Sequence, residues 1–91
     1  MDEAEKKIRI GEDAERLLKN KILKDAFTYI REECYVTIEE SEGKQVEVRE
    51  NAYYLLKAIT NLEKYFVKVV RMGKEEKIKI GSMEKINKLI R

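Results

Sequence analysis

The chain has 91 residues, of which 43% are apolar and 42% charged, and its formal net charge is +2. This length predicts one small domain, and the apolar fraction is high enough to form a core, which excludes a disordered composition. The sequence contains no His and one Cys, which excludes histidine-based catalysis and an intramolecular disulfide. No catalytic, metal-binding or cofactor-binding motif is present. We therefore expect a binding protein rather than an enzyme.

Apolar residues recur at helical spacing from residue 3 to residue 19, which predicts a first helix. Gly11 interrupts this pattern and costs about 1 kcal/mol relative to Ala inside a helix. A later helix start at Gly11 is therefore a second possibility. Asn20 is expected to end or kink this helix.

A second helix is predicted over residues 21–40. Its apolar stripe consists of Ile22, Leu23, Ala26, Phe27, Ile30, Cys34 and Ile38. Because Cys34 lies on this stripe and no His can activate it, a buried structural thiol is favoured over a nucleophile. The residues from Ser41 to Lys44 form a predicted turn.

The longest predicted helix covers residues 46–72 and is followed by Gly73 as its expected C′ residue. Its apolar stripe consists of Ala52, Leu55, Leu56, Ile59, Leu62, Phe66, Val69 and Val70. Residues 77–81 alternate charged and apolar side chains, which predicts a short strand or extended arm. Ser82 is then expected to cap a final short helix.

These elements predict an all-α protein: an antiparallel helical hairpin with a short N-terminal helix and a basic C-terminal arm. The predicted domains are a hairpin domain at residues 1–73 and the arm at residues 74–91. A hairpin helix of this length exceeds what a small core needs, so we expect a homo-oligomer. The expected oligomer interface includes Tyr53, Leu56, Tyr65 and Phe66.

Charge is divided unevenly along the chain. Residues 31–50 hold seven acids and three bases, whereas residues 64–91 hold nine bases and three acids. The basic segment predicts contacts with the phosphates of double-stranded DNA. The expected contact residues are Arg71, Lys74, Lys77, Lys79, Lys85 and Lys88. A solvated face that docks on a neighbouring copy is the alternative interpretation.

Three tyrosines, Tyr53, Tyr54 and Tyr65, lie among lysines of the long helix. They are candidates for stacking on nucleic-acid bases, but packing at a helix or subunit interface is the favoured interpretation. No apolar run reaches the length of about 18–20 residues that a membrane span needs. The acidic N-terminus also lacks the features of a signal peptide. We therefore expect no membrane contact and a cytoplasmic location.

A spaced pattern comprises residues 11–20, Ala26-Phe27, residues 49–58 and Gly73-Lys74. It resembles a family of small helical proteins encoded by tailed bacteriophages near DNA-packaging and head genes. Small terminase subunits share this size, the helical hairpin and the habit of forming rings. The resemblance implies an oligomeric packaging or head-associated protein that binds DNA non-specifically in the host cytoplasm, without catalytic residues. The alternative left open is a helical interaction module that regulates or inhibits a host or phage protein.

Overall fold

The structure is a computed structural model that describes residues 2–90. These residues form three α-helices, α1 (Glu3–Lys19), α2 (Lys21–Glu40) and α3 (Val46–Ile90), and contain no strand. The all-α class is confirmed, and so are the predicted bounds of the first two helices. Met1 and Arg91, at the outer ends of the two expected domains, lie outside the described residues.

Polar side chains determine where α1 and α2 begin. Asp2 Oδ1 accepts a hydrogen bond from the Glu5 amide at 2.8 Å, and Asn20 Oδ1 accepts one from the Leu23 amide at 2.9 Å. Each bond satisfies an amide that a helix N-terminus otherwise leaves unpaired. Asn20 therefore separates two helices rather than kinking one. The later start at Gly11 is not observed, because α1 passes through that residue.

One arginine holds the loop that connects α2 to α3. The Arg49 guanidinium donates to Ser41 Oγ at 3.1 Å, to the Glu42 carbonyl at 2.6 Å and to the Gly43 carbonyl at 3.3 Å. Gln45 Oε1 also accepts a bond from the Glu42 amide at 2.8 Å. The predicted turn is confirmed, and Gln45, just before α3, and Arg49, in its first turn, provide hydrogen bonds that hold it.

The long helix does not end where the sequence predicts. Gly73, the expected C′ residue, lies inside α3, and residues 77–81, expected to be extended, are helical. Ser82 starts no new helix, so the expected arm is a continuation of α3 over residues 74–90. The surrounding Lys and Glu residues are good helix formers. Gly73 also has no positive φ that would end the helix.

The chain forms two compact units. The hairpin unit consists of residues 18–64, which include all of α2 and the first part of α3. The terminal unit consists of α1 up to Leu17 together with α3 from Tyr65 onwards.

The hairpin unit has a core of side chains. Phe27 and Cys34 of α2 and Ala52 and Ile59 of α3 are buried. Each pair is separated by seven residues, which is the spacing of helices that pack at a shallow angle. An ion pair between Arg31 and Glu63 also connects α2 to α3.

The terminal unit packs backbone against backbone. A Cβ atom placed on Gly11 would lie 2.9 Å from the Val69 carbonyl oxygen, and one placed on Gly73 would lie 2.9 Å from the Lys7 carbonyl oxygen. Real Cβ atoms do not approach other atoms so closely. The two glycines therefore permit a close crossing of α1 and α3, next to the buried Ala14.

Candidate interaction surface

Many large apolar side chains lie at the protein surface. Among the described residues, twenty large apolar side chains are exposed, whereas only five apolar side chains are buried. The chain exposes 7531 Å². A monomeric protein of its mass, 10.8 kDa, exposes about 5,500 Å² on average. The chain therefore exposes about 2,000 Å² more than this average.

An open groove lies between α2 and α3 in the hairpin unit, with a volume of about 340 Å³. Its lining consists of Glu33, Cys34, Thr37, Val48, Asn51, Ala52 and Leu55. Cys34 and Ala52 are buried, whereas Val48 and Leu55 are 40% and 48% exposed. The groove is therefore mainly apolar and already has a core beneath it.

Two exposed apolar stripes run along different sides of the hairpin unit. On α2, Ile22, Tyr29 and Val36 are exposed at intervals of seven residues. Tyr29 and Val36 follow the buried Phe27 and Cys34 by two positions each, so they point about 160° away from that core. The second stripe, on α3, consists of Val48, Leu55 and Leu62, all exposed. We call the three residues of the α3 stripe, which borders the groove, the apolar face.

The charges of the hairpin unit are segregated along its length. The loop half, residues 32–50, holds seven acids and two bases, for a net charge of −5. The open half, residues 18–31 and 51–64, holds six bases and two acids, for a net charge of +4. The apolar face therefore extends between an acidic end and a basic end.

Four of the predicted phosphate-binding residues contact carboxylates within the terminal unit. Lys77 Nζ lies 3.0 Å from Glu12 and Lys74 Nζ lies 4.0 Å from Glu15. The other two pairs are Arg71 with Glu75 at 3.7 Å and Lys79 with Glu76 at 3.6 Å. Residues 2–17 and 65–90 together hold eleven bases and nine acids. Acids of α1 thus offset much of the positive charge of α3.

The remaining two predicted phosphate-binding residues are placed differently. No carboxylate among the described residues lies within ion-pair distance of Lys85 or Lys88. Both lysines are exposed in the last turns of α3. The structure therefore separates the six predicted residues into four that are paired with carboxylates and two that have no carboxylate nearby among residues 2–90.

The residues predicted for the oligomer interface differ in exposure. Tyr53 and Tyr65 are exposed, whereas Leu56 and Phe66 are half-buried. Leu56 follows Ala52 by four positions and precedes Ile59 by three, so it belongs to the inner face of the hairpin unit. The Lys57 ammonium lies 5.5 Å from the centroid of the Tyr53 ring. The role of Tyr53, Leu56, Tyr65 and Phe66 in an oligomer interface stays a prediction.

The exposure of these two stripes was not recognised in the sequence. Ile22, assigned there to the buried stripe of α2, is 80% exposed, and Leu55 and Leu62 of α3 are also exposed. The available signal was the interval of seven that connects Ile22, Tyr29 and Val36. This interval defines a second stripe, distinct from that of Phe27 and Cys34.

Cys34 is buried, with 2% of its surface exposed, as the sequence predicts. Residues 2–90 contain no group of three or more metal-ligating side chains. In that same part of the chain, no helix has an apolar stretch sufficient to cross a bilayer.

Comparisons with protein-family models, curated proteins and solved structures found no match for this chain. The resemblance to small phage proteins therefore depends on the residues quoted above and stays a prediction.

Proposed function

We propose that the protein is an oligomeric DNA-packaging or head-associated protein of a tailed bacteriophage, similar in role to a small terminase subunit. It acts by binding, in the cytoplasm of the host cell. The resemblance of residues 11–74 supports the phage assignment. The excess of about 2,000 Å² of exposed surface, with an apolar face on the hairpin unit, supports self-assembly.

The amount of exposed surface is suited to a multimer. A stable interface covers about 800 Å² on each partner, so 2,000 Å² is sufficient for about two interfaces per subunit. Two different interfaces per subunit are what a head-to-tail ring requires. A ring also presents many copies of a weak DNA contact to one duplex, and their combined affinity exceeds that of a single copy.

The proposed DNA contact is electrostatic and independent of sequence. Lys85 and Lys88 contribute most, because no described carboxylate neutralises them. Lys74 and Lys77 contribute less, because Glu15 and Glu12 compete with phosphate for their ammonium groups. Contacts of this kind bind the backbone of the duplex and do not discriminate between bases.

The second candidate function is a helical interaction module that regulates or inhibits another protein. The same apolar face favours it, because such a face binds a foreign helix as readily as a second copy. The two candidate functions predict different oligomeric states for the isolated protein: a multimer for the packaging protein and a monomer for the interaction module.

Light scattering with and without duplex DNA tests the proposal. We expect a mass of several subunits in the micromolar range and a further increase when DNA is added at low salt. A protein that stays monomeric at several hundred micromolar would exclude the assembly and leave the interaction module. An oligomer that does not bind DNA at low salt would contradict the proposed DNA contact but not the proposed self-assembly.

A further inference from the structure

We propose that the last turns of α3, residues 82–90, bind in the groove of the hairpin unit of a neighbouring copy. We call these residues the end segment. The contact is head-to-tail, because the end segment of one copy meets the groove of the next. This inference rests on the proposed self-assembly and specifies the two surfaces that each subunit offers to its neighbours.

The end segment extends beyond the helix that packs against the rest of the terminal unit. The ion pairs between α1 and α3 show that the two helices are antiparallel, and the Lys7 carbonyl of α1 lies against Gly73. Going back from Lys7, α1 reaches its first residue, Glu3, after at most about 6 Å, whereas α3 continues to Ile90, about 25 Å past Gly73. Every residue of the end segment is exposed.

The end segment has one apolar side. Met83, Ile86 and Ile90 are spaced by three and four residues, so they share a side of the helix, and Leu89 extends it. Their exposed fractions range from 54% for Ile86 to 86% for Leu89. Lys88 lies two positions from Ile86 and from Ile90 and points about 160° away from both. A partner that covers the apolar side therefore leaves Lys88 available to phosphate.

The groove matches this apolar side in character and length. Its lining includes buried core residues and, on α3, the exposed Val48 and Leu55. Val48 and Leu55 are seven residues apart, as are Met83 and Ile90, so each surface extends over about 10 Å. An amphipathic helix that lays its apolar side into a hydrophobic groove is a recurring mode of recognition.

Charge favours a second copy as the occupant of the groove. Glu33 lines the groove, and Glu40 and Glu47 each lie three or four positions from another lining residue. These acids belong to the loop half, which has a net charge of −5. Residues 77–90 hold four bases and one acid, for a net charge of +3. The chain thus carries both an acidic groove and a basic amphipathic helix end, and their opposite charges favour the association of two copies.

Two glutamine variants on opposite sides of α3 test the end segment. We expect Ile86→Gln to weaken self-association by about tenfold, because it removes an apolar anchor from the centre of the contact. Lys88→Gln, the matched control, should change self-association by less than about twofold, because Lys88 points away from the groove. Sedimentation equilibrium measures both, and circular dichroism verifies their helicity. Equal association of the two variants would overturn the role of the end segment.

A second pair of variants tests the groove. Leu55→Gln should also weaken self-association by about tenfold, since Leu55 lines the groove. Tyr54→Gln, at an exposed neighbour outside the lining, should change it by less than about twofold. If circular dichroism shows that Leu55→Gln has unfolded, Val48→Gln takes its place. Equal association of the groove variant and Tyr54→Gln would overturn the groove as the binding site.

Mixing the two weakened variants tests whether the contact is head-to-tail. Ile86→Gln retains an intact groove, and Leu55→Gln retains an intact end segment. An equal mixture should therefore form a dimer more readily than either variant alone, because one unaltered contact joins the two copies. The dimer should not grow further, since its two remaining surfaces are both altered. A mixture that associates no better than the separate variants would overturn the head-to-tail contact.

The outcomes separate this inference from the proposed function. Weakening by Ile86→Gln and by the groove variant, together with recovery in their mixture, supports docking of the end segment. An oligomeric parent protein whose association tolerates Ile86→Gln overturns the docking but not the self-assembly. A parent protein that stays monomeric at several hundred micromolar overturns both.

Discussion

The two units of this small protein achieve helix packing in different ways. In the hairpin unit, α2 and α3 are held apart by side chains such as Phe27 and Ile59, which form a core. In the terminal unit, α1 and α3 approach so closely at Gly11 and Gly73 that no side chain fits between them. One unit depends on the volume of its side chains and the other on their absence.

The units also differ in how their charges are arranged. In the terminal unit, acids of α1 lie beside bases of α3, as in the pairs Glu12–Lys77 and Glu15–Lys74. In the hairpin unit, acids and bases collect at opposite ends, and an ion pair between Arg31 and Glu63 connects its helices. In the terminal unit, ion pairs between the helices already neutralise many of the charges. In the hairpin unit, the charges are segregated, which leaves them suited to binding another molecule.

The largest effect is expected from the core of the hairpin unit. Phe27 is 8% exposed, so Phe27→Ala should lower the free energy of unfolding by about 3–5 kcal/mol, through lost burial and the cavity left behind. Urea denaturation at fixed protein concentration measures this. The exposed Tyr35 provides the control, and Tyr35→Ala should change stability by less than about 1 kcal/mol. Similar losses in both variants would contradict the assigned core.

A substitution that adds a methyl group, instead of removing side-chain atoms, tests the packing of the terminal unit. Ala is a better helix former than Gly by about 1 kcal/mol, yet Gly73→Ala should destabilise by about 1–3 kcal/mol, because backbone atoms of α1 leave no room for a methyl group. At Gly81, a Cβ atom meets nothing within 4 Å. Gly81→Ala should therefore stabilise the helix by up to about 1 kcal/mol. Thermal unfolding compares the two. Stabilisation by Gly73→Ala would rule out the close crossing.

Local signals were sufficient for part of this fold. The bounds of α2 follow from Asn20 and the Ser41–Lys44 turn, because caps and turns depend on neighbouring residues. Gly73 was misinterpreted because a glycine after an apolar stripe is typical both of a helix end and of a close helix crossing. Only its contact with Gly11, which lies 62 positions earlier, decides between them. Such a contact leaves no signal in either local segment.

The candidate surface was predictable only in part. The acidic and basic segments are evident in the sequence, but the pairing of Lys74 and Lys77 with α1 is a tertiary effect that composition does not reveal. Leu56 and Phe66 were placed on the stripe of the long helix, and both are half-buried. Truncating either should therefore have a smaller effect than Phe27→Ala, since the loss increases with the area buried.

A DNA titration tests whether local pairing removes lysines from the binding surface. Each phosphate contact contributes about −0.9 to the log–log dependence of affinity on salt. Replacing Lys85 and Lys88 with Gln should flatten the slope by up to about 2. Replacing Lys74 and Lys77 should change it less, because Glu15 and Glu12 already lie beside them. Fluorescence anisotropy between low and moderate salt gives both slopes. A larger change from Lys74 and Lys77 would show that their ion pairs yield to DNA.

The smallest effect concerns the ion pairs themselves. Glu12 and Lys77 approach to 3.0 Å, but about half of each side chain is exposed, so their coupling should be about 0.2–1 kcal/mol. The Arg31–Glu63 pair is only about 30% exposed on either side. Water screens it less, so its coupling should be larger and should depend less on salt.

A double-mutant cycle on each pair, with Gln at every charged position, measures these couplings separately from the stability of each helix. Each cycle is repeated at high salt, where the Debye length falls to about 3 Å at 1 M. The Glu12–Lys77 coupling should then largely disappear, while that of Arg31–Glu63 should persist. If Glu12–Lys77 instead gave the stronger, salt-resistant coupling, the terminal unit would depend on its ion pairs as much as on its glycines. The contrast between the two units would then lie in charge rather than in packing.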